Sequence, residues 1–158
     1  MSDPAAGDKP QTMKAQRQLN VLMRGLLSAP LISRGIGRKL IIAYVVGRKT
    51  GRHYSVPVAY SREGDGLLIG SPFGWIRNLR TGDTIEIRLL GKRIPADVEY
   101  FSDEPGVVAA YATMASDNHQ FAKFNRIGID PGGNPSEPDL HAAWVNGGRA
   151  ARLTPRPR

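Results

Sequence analysis

Apolar positions along the chain follow two periods. Between residues 39 and 101 they alternate or gather in short β-branched runs, and after residue 102 they recur at three- and four-residue intervals. "KLIIAYVV" (39–46) is short and β-branched and predicts a strand. "HYSVPVAYSR" (53–62) alternates as the next strand. Pro57 within it cannot donate to a ladder and so marks an edge, a bulge or a strand end. After the turn "EGDG" come "LLIGS" (67–71), then "TIEIRLL" (84–90) and "RIPADVEYF" (93–101), joined at Gly91-Lys92, and near the end "RAARLT" (149–154).

The helical period begins at "FSDEPGVVAAYATMASDN". Ser102 is a suitable N-cap, Pro105 occupies the first turn, and Val107, Val108, Tyr111 and Met114 share a face. "EPDLHAAWVNG" predicts a shorter helix capped by Ser136 and closed by Gly147. Ahead of the strands, residues 13–28 place Leu19, Leu22, Met23 and Leu26 along one side, with Lys14, Arg17 and Arg24 opposite. Such an amphipathic helix covers a core or makes a peripheral membrane contact. Residues 1–12 read as a disordered lead-in and 155–158 as a tail, leaving 13–154 as a single domain. Six mostly antiparallel strands with helices before and after predict a mainly β, α+β chain. The arrangement is a small barrel with helices outside it, since a nucleotide fold of βαβ units would alternate strand and helix.

Composition narrows the chemistry. The 158 residues include no cysteine, which excludes disulfides, zinc–thiolate sites and thiol nucleophiles. No apolar run approaches the roughly 18 residues of a membrane span, and "MSDPAAGDKPQT" lacks the marks of a signal peptide, so the expected location is cytoplasmic. A formal charge of +8 and a pI near 10.2 favour anionic ligands. His53, His119 and His141 are isolated, so no metal site is expected. No Gly-x-Ser-x-Gly elbow occurs, and Asp83, Asp103, Glu104 and Asp130 have the surroundings of turn and cap residues. Pocket features without acid–base machinery point to a cofactor that carries the chemistry.

Three segments could line such a pocket. In "VVGRKTGRHYSVPV", Arg48, Lys49, Thr50, Gly51 and Arg52 concentrate charge at a glycine turn, which is either a solvated corner or an anion site. In "IGSPFGWIRNLRTGD", Phe73 and Trp75 interrupt a strand beside Arg77, Asn78 and Arg80, so Trp75 either plugs a barrel end or faces a flat ligand. In "NHQFAKFNRIGIDPGGNPSEPD", Phe121 and Phe124 precede a glycine-rich stretch that is either a lid or a surface connection.

The run "VVGRKTGRHYSVPVAY … DGLLIGSPFGWIRNLRTGDTIEIRLLGKRIPADV" resembles the deazaflavin-dependent nitroreductase family of the flavin/deazaflavin oxidoreductase superfamily. The resemblance covers roughly residues 15 to 101, and Gly-Arg-Lys-Thr-Gly, Pro57 and Trp-x-x-Asn-Leu are its most specific parts. It implies a split β-barrel of the pyridoxamine-oxidase type, a homodimer, and hydride transfer from reduced coenzyme F420 to a small organic acceptor. It also implies that Arg48, Lys49, Thr50, Gly51 and Arg52 hold the phosphate. Ser55, Val56 and Pro57 would lie along the ring, and Ser71, Trp75, Asn78 and Leu79 would complete the pocket. Phe73, Phe121 and Phe124 would border the acceptor, with Tyr60 or solvent as proton donor. Tyr54 stands where the best-known members carry a basic residue. Two other readings remain at this stage: an FMN-binding enzyme of the same fold, and a non-enzymatic basic barrel for nucleic acid or anionic lipid. The basic stretches lack the interleaved aromatics of a nucleic-acid stacking platform, so nucleic acid is not the expected partner.

Overall fold

A computed structural model describes residues 39–156 of the chain. The strands are β1 (Leu40–Val46), β2 (His53–Ala59), β3 (Ser61–Glu63), β4 (Gly66–Ser71), β5 (Thr84–Leu89), β6 (Lys92–Phe101) and β7 (Arg149–Pro155). The helices α1 (Glu104–Asp117), α2 (His119–Phe124) and α3 (Glu137–Val145) all fall between β6 and β7, and a single 3-10 turn (Gly74–Asn78) follows β4. The expected N-terminal helix at 13–28 and the lead-in at 1–12 lie outside the described residues.

All strand pairs are antiparallel, in the order β2-β1-β5-β6-β7-β4-β3. β2 and β3 are thus opposite edges of the sheet, yet only Tyr60 separates them in the chain. Consecutive Cα atoms are about 3.8 Å apart, so the two edges must meet at Tyr60, and the sheet rolls into a barrel. The Tyr60 amide donates to Lys39 O at 2.9 Å at this seam. The expected continuous strand over 53–62 is therefore two strands bent about the seam, and the count is seven rather than six. Pro57 sits on the edge strand β2 opposite Ile42, where a missing N–H interrupts no ladder on its free side.

Two cores follow from the two faces of the sheet. Ile41, Ala43 and Val45 alternate inward from β1 and meet Val56, Ile87 and Leu153 inside the barrel. Outside it, Val107, Tyr111 and Met114 of α1 pack on Leu68 and Ala150. β4 is covered on both sides, Leu67 and Ile69 inward and Leu68 outward, which accounts for the unbroken apolar run "LLI". Gly70 continues the outer face, and a Cβ there would stand 2.7 Å from Tyr111 Cε1 and 2.8 Å from Met114 Cε, so only glycine lets α1 approach.

Several boundaries shift by a residue or two. The N-cap of α1 is Asp103 rather than Ser102, although Pro105 is in the first turn as expected. The β5–β6 hairpin turns on Leu90 and Gly91, both at positive φ (50° and 82°), the signature of a type I′ turn. β7 takes in Pro155, and Arg156 is tied to Pro95 O and Asp97, so the expected tail begins inside the sheet. Ser136 caps α3 by accepting from the Asp139 amide, as its position predicts.

Candidate functional site

The turn after β1 is a six-residue loop (47–52) closed by its own backbone. The Gly47 amide donates to Arg52 O at 2.7 Å, and the Gly51 amide, at φ 70°, donates to Gly47 O at 2.8 Å. Thr50 Oγ1 accepts from the Arg52 amide at 3.2 Å. Arg48 is not a free turn residue. Its amide donates to Asn78 Oδ1 at 3.1 Å, its Nε donates to Asn78 O at 2.9 Å, and its guanidinium pairs with Asp83. Asn78 Nδ2 in turn donates to Trp75 O at 2.9 Å. Arg48 and Asn78, 30 residues apart, thus bolt the charged corner onto the 3-10 turn that carries Trp75. The remaining cations of the corner, Lys49 and Arg52, have no side-chain acceptor among the described residues.

Beside that turn lies a cavity of about 270 Å³. One wall is the end of edge strand β2, residues 57–59; a second is the end of β4 with the following loop, Gly70 to Phe73, and Trp75; the third is α2 with its flanks, Asn118 to Asn125. Phe73 and Phe124 meet edge to face across it, with ring centroids 6.1 Å apart. Phe121 packs edge to face on Tyr111 at 5.0 Å, which fixes α2 against α1. Asn118 orients α2 by accepting from the Gln120 and Phe121 amides at its first turn.

The polar groups of the walls are nearly all satisfied. Ser71 Oγ accepts from the Phe73 amide at 3.0 Å, and the Asn125 amide group donates to Phe121 O at 2.9 Å. The Tyr111 phenol donates to Arg149 O at 3.2 Å, and burial drives its pKa well above the ordinary range, so it stays protonated and is no base. Trp75 differs. It is 8% exposed, and its buried Nε1–H has no acceptor among the described residues.

The structure therefore brings Pro57, Ser71, Phe73, Trp75, Phe121 and Phe124 onto one cavity. Other expected site residues stand elsewhere. Val56 and Leu79 are buried in the barrel core, Ser55 is exposed opposite Tyr44, and Asn78 is the bracket described above. Tyr60, 5% exposed, belongs to the barrel core and does not line the cavity. Thr50 and Gly51 shape the corner. The stretch "DPGGNP" is closed on itself, with Asp130 Oδ1 accepting from the Asn134 amide at 2.8 Å, and lies off the cavity. Backbone amide donation from Asn134 holds the Asp130 carboxyl below its usual pKa.

Val58, Ala59, Gly70 and Lys123 also line the cavity, and no motif pointed to them. The available signal for Lys123 was its place between Phe121 and Phe124. Among the described residues no cluster of histidine and carboxylate side chains could hold a metal ion, and no helix is long and apolar enough to cross a membrane.

No protein family matches the chain, and no curated protein does. Among solved structures it is similar to one from Bacteroides thetaiotaomicron VPI-5482, described as "a putative 5-nitroimidazole antibiotic resistance protein". The two share 14% identity at a TM-score of 0.46, over 82% of this chain and 81% of that one. A likeness so distant carries nothing about ligand or reaction.

Proposed function

We propose that the protein is an oxidoreductase that uses reduced coenzyme F420 to reduce a small organic acceptor, an activated alkene, a quinone or a nitro compound. The observation that carries this reading is the chain of hydrogen bonds from Arg48 through Asn78 to Trp75. It joins the two most specific motifs of the family resemblance at the rim of one apolar cavity. The residues fit such a coenzyme in three respects. Edge strand β2 leaves backbone uncovered beside Pro57 for a flat ring. The Trp75 side chain stands in the cavity wall. Lys49 and Arg52 offer positive charge for a phosphate and an acidic tail.

When bound, the coenzyme supplies a hydride. The chain's own part is positional. Phe73, Phe121 and Phe124 would hold the acceptor against the ring, and a bound coenzyme and acceptor would displace water from these apolar walls. Tyr60 is in the core rather than on the cavity wall, so this reading takes the closing proton from solvent. FMN is the alternative ligand. Titrating the purified protein with oxidised F420 and with FMN, followed by fluorescence quenching, separates the two. F420 is expected to bind more tightly, and FMN binding tenfold tighter, about 1.4 kcal/mol, would reverse the assignment. Anaerobic mixing with reduced F420 and a quinone then tests the reaction itself. The same barrel is proposed to pair as a homodimer in solution, which light scattering measures directly.

A further inference from the structure

Among the described residues, the wall of the cavity carries one ionisable side chain, Lys123, and no carboxylate. Lys123 has no hydrogen-bond or ion-pair acceptor for its ammonium among the described residues, unlike Arg77 and Arg80, whose guanidinium groups donate to backbone carbonyls. It stands on α2 between Phe121 and Phe124, and Gln120 on the same helix adds an amide. The Lys123 ammonium is thus, among the described residues, the one charge on walls that are otherwise apolar or carry neutral polar groups.

We infer that Lys123 selects the acceptor, and that the preferred acceptor is a planar molecule bearing an anionic group such as a carboxylate or sulfonate. The flat part would lie among Phe73, Phe121 and Phe124, and the anion would meet the ammonium at the rim. Lys123 is exposed, so its attraction for an anion is screened by salt, and the preference should fade as ionic strength rises. The inference rests on the functional reading above for the word acceptor, but the binding preference does not depend on any coenzyme.

The first experiment therefore omits the coenzyme. Anilinonaphthalene sulfonate and the uncharged phenylnaphthylamine present nearly the same rings with and without an anion, and their fluorescence reports binding. Phe124→Ala should weaken both probes, which locates them in the cavity. Lys123→Met should weaken the sulfonate about tenfold, the scale of one charge-assisted contact, while changing the neutral probe less than twofold. Lys123→Arg should keep the preference. Equal effects of Lys123→Met on both probes, or none on either, would overturn the inference.

A second arm separates the acceptor from the anionic tail of F420. If Lys123→Met weakens F420 binding tenfold and leaves the sulfonate untouched, the lysine serves the coenzyme and the inference fails. If the sulfonate preference is found but reduced F420 passes no hydride to any acceptor, the anion site stands and the functional reading falls.

Discussion

The charged corner after β1 and the wall of the cavity are neighbours with opposite construction. The corner is exposed, and its shape comes from backbone hydrogen bonds at Gly47 and Gly51 and from the Arg48 bracket. The wall is built of side chains and strand ends packed against the two cores, with Gly70 under Tyr111 and Trp75 buried. Positive charge is dense at the corner and almost absent from the wall, yet density misleads. Arg48 is paired with Asp83, and Arg77 and Arg80 are spent on backbone carbonyls. Lys49, Arg52 and Lys123 are the cations left with charge to offer a ligand at these two places. A cation in a sequence is available to a ligand only when the fold gives it no internal partner.

The contrast breaks most sharply at Gly70. Gly70→Val forces a branched side chain into Tyr111 and Met114, both almost wholly buried, and should cost about 3 kcal/mol by overpacking. Urea denaturation should show this loss, whereas Gly74→Ala, with open space at its Cβ, should stay within about 0.5 kcal/mol. Equal tolerance at both positions would mean that α1 does not press on β4 at Gly70.

Trp75→Phe separates folding from binding. It removes an indole N–H that has no acceptor among the described residues, so the lost ring volume is partly offset, and stability should fall by no more than about 1.5 kcal/mol. Affinity for F420 should nonetheless drop about tenfold if that N–H meets the ligand. Unchanged affinity would return Trp75 to a purely structural plug.

The corner itself should divide between two substitutions. Arg48→Ala loses the contacts to Asn78 and Asp83 and should destabilise by about 1 kcal/mol, a value kept small by the exposure of the pair. Lys49→Ala should leave stability within about 0.5 kcal/mol but weaken coenzyme binding several-fold at low salt, with the difference fading as salt rises. If both substitutions act only on stability, the corner holds no anion.

The smallest effect concerns pH at the seam. Burial raises the Asp117 carboxyl pKa, but hydrogen bonds from Lys39 and Ser61 outweigh it, and the net shift is downward. A carboxyl depressed in the folded state contributes stability above its unfolded value, about 3.9, and loses it as pH falls through the lower folded value. Lys39→Met should therefore lower stability slightly at pH 7, where the pair is intact, and flatten the acid limb, with the two proteins converging below about pH 4. An unchanged acid limb would show that the pair contributes nothing to closure.

Much of the local structure is legible in the sequence because it is caused locally. β-branched runs specify β1 and β5, Pro57 its edge position, and Asn118 and Ser136 cap by reaching amides two or three residues ahead. The pairing of Phe121 and Phe124 on one short helix is likewise a matter of spacing. The misread places have local causes too: alternation continues across Tyr60, so nothing in the pattern of 53–62 announces a change of sheet edge. Lys123 carries only the weak signal of its place between Phe121 and Phe124, since its chemistry depends on what surrounds it.

The sequence by itself determined the element types, their approximate limits and the anion-seeking charge. Tertiary structure decided which charges remain free and where the cavity lies. Arg48 meets Asp83 and Asn78 only because β1, β5 and the loop between β4 and β5 are brought to one end of the barrel. The cavity joins residues 57–59, 70–75 and 118–125, which are adjacent only once β2 and β4 approach across the seam and α1 has docked α2 beside them. The physical reason is range. Dihedral preference, capping and turn chemistry act over a few residues, whereas the partner of a charge and the wall of a cavity are set by closure of the whole sheet.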